Sequence, residues 1–362
     1  MTSVANATPC RRGRVGRLRA ALPALAAAMS VTCGLALAGC ERLMDQQIES
    51  ALRRRDRQVL QSPDLHVVLC GTGSPLPDKE RAGACTAVLA GGEFVLVDVG
   101  PGAWETVDLN GLPTGDLSAV LLTHFHSDHI GDLGEAITQS WIAGRARPLD
   151  VYGPPGTTRV VDGFDAAYAA DASYRTLHHG ESYLPARAAP AVGHDIPLGD
   201  AADADAVVFE RNGLRVTMFR VHHDPVTPAV GYRFDYRGRV VVVSGDTAKS
   251  ASLAAHAVGA DLLIHEALQP DMMGRVANVA ERVGQERLAK LARDTLTYHT
   301  TPVEAAELAR DAGVTTLVFT HEVPGPRNFI MRRMFLAGVH DVFAGEVVLG
   351  EDGMRFSLPP KT

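Results

Sequence analysis

Positive charge is what this chain has least to spare. Across 362 residues, 35 Lys and Arg stand against 42 Asp and Glu, giving a formal net charge of −7. No basic surplus remains to hold a nucleic acid by overall charge, which leaves only a locally basic groove for that role. Charged residues of either sign are also few, 21 % against 46 % hydrophobic. That balance excludes a disordered chain and supplies a substantial core, as one large domain or two small ones. Long apolar runs are missing as well: residues 20–37 are alanine-rich and too short and small-sided for a confident membrane span. Cysteine is scarce, with five in the whole chain. Neither Cys70 nor Cys85 sits with histidine at a metal-ligand spacing.

The N-terminus reads as a processing segment. Arg11, Arg12, Arg14, Arg17 and Arg19 precede the apolar stretch, the order of an export signal. The signal ends in Leu37-Ala38-Gly39-Cys40, which resembles the lipobox of bacterial lipoproteins. The resemblance implies cleavage before Cys40, a lipid on that cysteine, and anchoring to a bacterial membrane on its exported side. An ordinary cleaved signal with an incidental Cys40 is the alternative. Cys10 and Cys33 belong to the signal, so the mature domain keeps Cys70 and Cys85, either a disulfide or two buried thiols. Residues 40–64 are charged, with Met44, Ile48 and Leu52 at four-residue intervals. They predict a helical tether, or a helix packed on the domain.

What is present concentrates in one stretch, His124-Phe125-His126-Ser127-Asp128-His129, directly after the mostly apolar run 117–122. A buried strand that stops on such a cluster delivers ligands to one point. His124 and His126 share a face of extended backbone, whereas Asp128 and His129 begin the next turn and point at a neighbouring position. The arrangement suits two ions, and imidazole with carboxylate is the ligand set of zinc, manganese or iron.

This H-x-H-x-D-H pattern resembles the metallo-β-lactamase superfamily. Further along, His222-His223-Asp224-Pro225 followed by Gly231-Tyr232-Arg233 resembles the third-histidine motif of the ribonuclease Z and arylsulfatase branch, with His223 preferred over His222. The apolar strand 240–243 ends on Asp246, a candidate bridge between two cations. His265-Glu266-Ala267 and Tyr298-His299-Thr300-Thr301 resemble two more ribonuclease Z segments, and His321 matches the last ligand histidine. The resemblance covers residues 65–358 and implies an α/β fold, an αββα sandwich of two mixed β-sheets flanked by helices. It assigns His124, His126 and His223 to one ion, Asp128, His129 and His321 to the other, and Asp246 between them. Two Zn2+ are implied, with Mn2+ or Fe2+ as other occupants, and a homodimer is a further implication.

The implied chemistry is hydrolysis, since two cations acidify a shared water and stabilise charge on the attacked centre. Asp128 would orient that water or act as base. His299 would protonate the leaving group, oriented by Glu266, and Asp98 would orient the metal loop. Thr301, Pro302 and Glu304 predict a capped helix start just after His299. A redox diiron protein would put glutamate at the position of His126, and a non-catalytic binding protein would have lost ligands. Neither departure is seen. The substrate expected is a small phosphodiester or sulfate ester, with a lactone or other carboxylic ester as alternative. Ribonuclease Z activity ranks last, because Arg233 and Asp246 are too close to hold an RNA-binding arm. The stretch 174–180, with His178 and His179, is a candidate substrate contact or simply surface.

Overall fold

The computed structural model describes residues 41–50 and 57–361, apart from residues 200 and 202. The basic and apolar N-terminal segment and Cys40 lie outside the described residues. Two compact units divide at residues 54 and 55. In the first, residues 41–50 are helical and exposed throughout, as the apolar spacing predicts. The second begins with a 3-10 turn, Arg57–Gln61, in which Val59 and Leu60 pack on the domain core. The end of the expected tether is therefore part of the domain. No described helix is long and apolar enough to cross a membrane.

The first sheet contains β1 (Leu65–Gly71), β2 (Cys85–Ala90), β3 (Glu93–Val97), β4 (Ala119–Leu121), β5 (Leu149–Gly153) and β6 (Ala191–Asp195). The second contains β7 (Asp205–Arg211), β8 (Leu214–His223), β9 (Val226–Tyr236), β10 (Arg239–Val243), β11 (Leu262–Leu268), β12 (Thr316–Val323) and β13 (Glu346–Leu349). The last strand, β14 (Arg355–Leu358), returns to the first sheet beside β1. The orders are β14-β1-β2-β3-β4-β5-β6 and β13-β12-β11-β10-β9-β8-β7. Following the chain, each sheet starts with antiparallel pairings and then runs parallel, through β3-β4-β5-β6 in the first and β10-β11-β12-β13 in the second, so the two halves repeat one plan.

Side-chain alternation explains why the sheets stack and why both carry helices. Leu65, Val67 and Leu69 of β1, Val95 and Val97 of β3, and Val241 and Val243 of β10 point into the layer between the sheets. Their neighbours face outward and are equally apolar: Val68, Phe94 and Leu96 meet Val107, Leu133 and Ile137 from helices on that face. On the other side Val242, Leu263 and Leu317 meet Leu253, Ala305 and Ala309. Strands apolar on both faces have to be covered on both. The result is the αββα sandwich, with each fully buried Leu or Phe contributing about 1.5–3 kcal/mol.

Cys70 and Cys85 lie on the neighbouring strands β1 and β2 and form a disulfide, which decides between the two readings of the sequence.

Candidate metal centre

Most of the expected ligands sit at or just beyond the end of a strand. His124 follows β4, and His126 precedes a single helical turn, Ser127–Ile130, that carries Asp128 and His129. His223 closes β8, where it is buried while His222 is exposed. Asp246 follows β10 by one tight turn, in which Gly245 has φ +61° and a Cβ would meet the Val230 carbonyl at 2.5 Å. His321 departs from expectation in an informative way. It lies within β12 rather than beyond it, as the extra residue between the pairs Glu266–Thr320 and Ala267–Glu322. A bulge of this kind re-aims a side chain, and φ of +45° at His321 is a strained value for a non-glycine residue.

These strand ends meet at one oxygen. Asp246 Oδ2 lies 3.4 Å from His129 Nε2, 3.5 Å from His321 Nε2, 3.8 Å from His223 Nε2 and 4.0 Å from His124 Nε2. His124 Nε2 and His126 Nδ1 are 3.0 Å apart, and Asp128 Oδ2 is 3.1 Å from His321 Nε2. The donors fall into two groups, His124, His126 and His223 with Asp246, and Asp128, His129 and His321. That is the division the resemblance implied. A third set, Asp246, His299 and His321, overlaps them. His129 Nε2 and Asp246 Oδ1 are buried with no hydrogen-bond partner. Buried polar atoms are rarely left so, and nitrogen and oxygen donors converging this way fit divalent cations.

The far sides of the imidazoles are held by the protein. Asp98 Oδ2 is 2.7 Å from His129 Nδ1, while Thr123 donates to both Asp98 oxygens, from its backbone N at 2.8 Å and from Oγ1 at 2.7 Å. Asp98 has φ +58°, a second strained backbone position supporting the same site. His223 Nδ1 faces the Tyr298 carbonyl at 3.1 Å. Each contact turns Nε2 toward the centre. Close packing completes the frame: a Cβ on Gly100 would lie 2.0 Å from the Asp128 carbonyl oxygen.

The protein's own charges set the titration. Burial alone would favour neutral His129, but Asp246 and Asp98 outweigh it and hold the pKa well above the ordinary value. Burial lowers His124, His126 and His223, with neighbouring imidazoles adding to the effect at His124. Burial would raise Asp246, yet His321 and His129 hold it well below the usual carboxylate range. Asp128 is also lowered against its burial, through the His321 hydrogen bond.

Beside the centre, His299 Nδ1 is 3.1 Å from Glu266 Oε1. The same oxygen accepts from the backbone N–H groups of Thr247 and Thr300, each at 3.1 Å, so Glu266 is fixed before it orients anything. Burial opposes charge on His299, but Glu266 and Asp246 push its pKa up to about 9. The capping box is formed as expected: Thr301 Oγ1 accepts from Glu304 N–H, and the Glu304 side chain accepts from Thr301 N–H.

The stretch 174–180 is not brought to this site. It ends the helix Thr157–His179, with Tyr174 and Leu177 exposed, and does not wall the cleft lined by His126, Asp246 and His299. Sequence reading missed Thr123 and Tyr298. An apolar-strand-end threonine following Asp98 by 25 positions carries no local signal, whereas Tyr298 stood inside a quoted motif without a role.

A β-lactamase superfamily domain model matches residues 94–321. A protein named Ribonuclease Z from Mycobacterium bovis BCG is 38 % identical over 302 residues, covering 82 % of this chain and 99 % of the relative. Its namesake from Mycobacterium marinum is 36 % identical over 305 residues, covering 81 % and 99 %. Among solved structures, human tRNase Z short form superposes with a TM-score of 0.58 at 24 % identity, covering 81 % and 99 %. The Bacillus subtilis metallo-β-lactamase-fold protein YhfI gives 0.56 at 21 %, covering 82 % and 100 %. Ribonuclease Z, ranked last by the sequence reading, is the name the two mycobacterial relatives carry, and none of the four supports the arylsulfatase branch. The chain is thus a hydrolase of the metallo-β-lactamase fold, and it belongs to the β-lactamase superfamily with Ribonuclease Z proteins as its homologues.

Proposed function

We propose that the chain is a dinuclear, zinc-dependent phosphodiesterase, with manganese or iron as other ions the site accepts. The observation that carries this reading is the Asp246 oxygen with four imidazole nitrogens within 4.0 Å. His124, His126 and His223 would hold one ion, Asp128, His129 and His321 the other, and Asp246 both. Bound there, the ions supply an acidified water and charge stabilisation at phosphorus. Asp128 holds the attacking water and takes its proton. His299, with Nδ1 turned to Glu266, presents Nε2 to the leaving oxygen and protonates it.

A phosphodiester is favoured over a sulfate ester or lactone because the end-to-end homologues carry a ribonuclease name. That homology also supports a second reading, an endoribonuclease. Against long RNA stand the acidic net charge and the two-residue turn, Arg237 and Gly238, that joins β9 to β10 with no arm. The test is turnover by zinc-loaded protein of bis(p-nitrophenyl) phosphate, p-nitrophenyl sulfate, a lactone, a β-lactam and a transfer RNA precursor. Phosphodiester turnover is expected, RNA cleavage would select the second reading, and sulfate or lactone turnover alone would overturn both.

Export and a lipid on Cys40 remain part of this proposal. They rest on the lipobox-like pattern, and the Cys70–Cys85 disulfide suits an oxidising compartment. Intact mass from the native host tests the anchor, and light scattering tests a homodimer.

A further inference from the structure

A cleft of about 280 Å3 opens directly onto the centre, with His126, Asp246 and His299 in one wall. The opposite wall comes from the helices Pro270–Arg282 and Glu286–Asp294, the loop at Leu76, and the end of β12. Met273 and Ala292 are buried with Val323 and fix the two helices in place. Leu288 and Leu291 do not join that core. They are 38 % and 62 % exposed, sit three residues apart on one helix face, and line the cleft, while Arg287 and Lys290 are exposed and not part of its lining. Among the described residues no Lys or Arg lines the cleft.

We infer that the cleft receives an aryl group bonded directly to the scissile phosphate, so that the natural substrate is an aryl phosphoester. The inference rests on the phosphodiesterase reading and names its substrate class. Three features point to it. The volume falls just below the roughly 300–1,000 Å3 of pockets for drug-sized ligands, room for a ring system. Leu76, Leu288 and Leu291 offer apolar contact, and the partly exposed Tyr298 ring suits an aromatic guest. Finally, the cleft abuts the centre, so a nucleotide would place its polar ribose there and carry its base beyond it. A neighbouring phosphate of a polynucleotide would find no cation in this wall.

The experiment is calorimetric titration of the zinc-loaded protein with phenylphosphonate, methylphosphonate and uridine monophosphate, none of which requires turnover. Phenylphosphonate is expected to bind at least about tenfold tighter than methylphosphonate, the scale of burying a few apolar carbons. In Leu291→Asp and Leu288→Asp, each checked for zinc content and circular dichroism, that advantage should fall below about threefold. Equal affinity of the two phosphonates, uridine monophosphate binding as tightly as phenylphosphonate, or an unchanged advantage in both variants would overturn the aryl inference while leaving the metal-centre reading standing. If neither phosphonate binds, both fall.

Discussion

Asp98 and His129 are joined by a 2.7 Å contact between a carboxylate oxygen and Nδ1, across 31 residues of sequence, Asp98 just after β3 and His129 in the turn after its parallel neighbour β4. Asp98 is itself saturated by Thr123, so the imidazole has one orientation and its Nε2 faces Asp246. Asp98→Ala should keep the fold and weaken zinc affinity about 10- to 100-fold, the range for losing a partner that orients a ligand. Chelator competition measures this, and unchanged affinity would remove Asp98 from the account.

His299 and Glu266 make a separable prediction. His299→Ala should retain bound metal and lose about 10²- to 10⁴-fold in rate on substrates with alkoxide leaving groups. Nitrophenolate esters, which need little protonation, should lose much less. Glu266→Gln keeps the shape but not the charge that raises the His299 pKa, so its alkaline limb should move to lower pH. Equal losses across leaving groups would make His299 a positioning residue.

Asp261 gives a pH prediction away from the centre. It accepts from Val240 N–H at 2.9 Å and Arg239 Nη1 at 2.8 Å, with Lys361 Nζ at 3.0 Å. Burial would raise its pKa, but these partners lower it below the ordinary 3.8. A depressed folded-state value means the stabilisation is fully present above the unfolded value and is lost as pH falls through the folded one. Asp261→Asn should cost about 1–3 kcal/mol at pH 7, and the gap to the native protein should close in acid. Urea melts in chelator at pH 7 and pH 3 check this, and a gap independent of pH would contradict it.

Much of the site was legible because its ligands stand at the ends of apolar runs, where a change of residue type marks a strand end. His124, Asp246 and the capped start after His299 are read that way, and the choice of His223 over His222 follows the family motif. His321 was legible as a residue, but its place in a bulge of β12 was not, since a bulge leaves no mark on composition. The strands β6 and β7 were hidden in an alanine-, proline- and acid-rich region, and the pairing of β14 with β1 spans nearly 300 residues. The apolar cleft was illegible for a different reason. Leu288 and Leu291 match core leucines in sequence, and only the packing of two helices shows that they face the centre instead.

Metal content measured together with phosphodiester turnover tests the central claim most directly. Protein purified without chelator and supplied with zinc should hold two ions per chain and hydrolyse bis(p-nitrophenyl) phosphate. Asp246→Ala, which removes the oxygen lying within 4.0 Å of imidazole nitrogens from both donor groups, should lose metal and all activity together. A stoichiometry near zero in the native protein, or an Asp246→Ala variant that keeps both metal and turnover, would contradict the account.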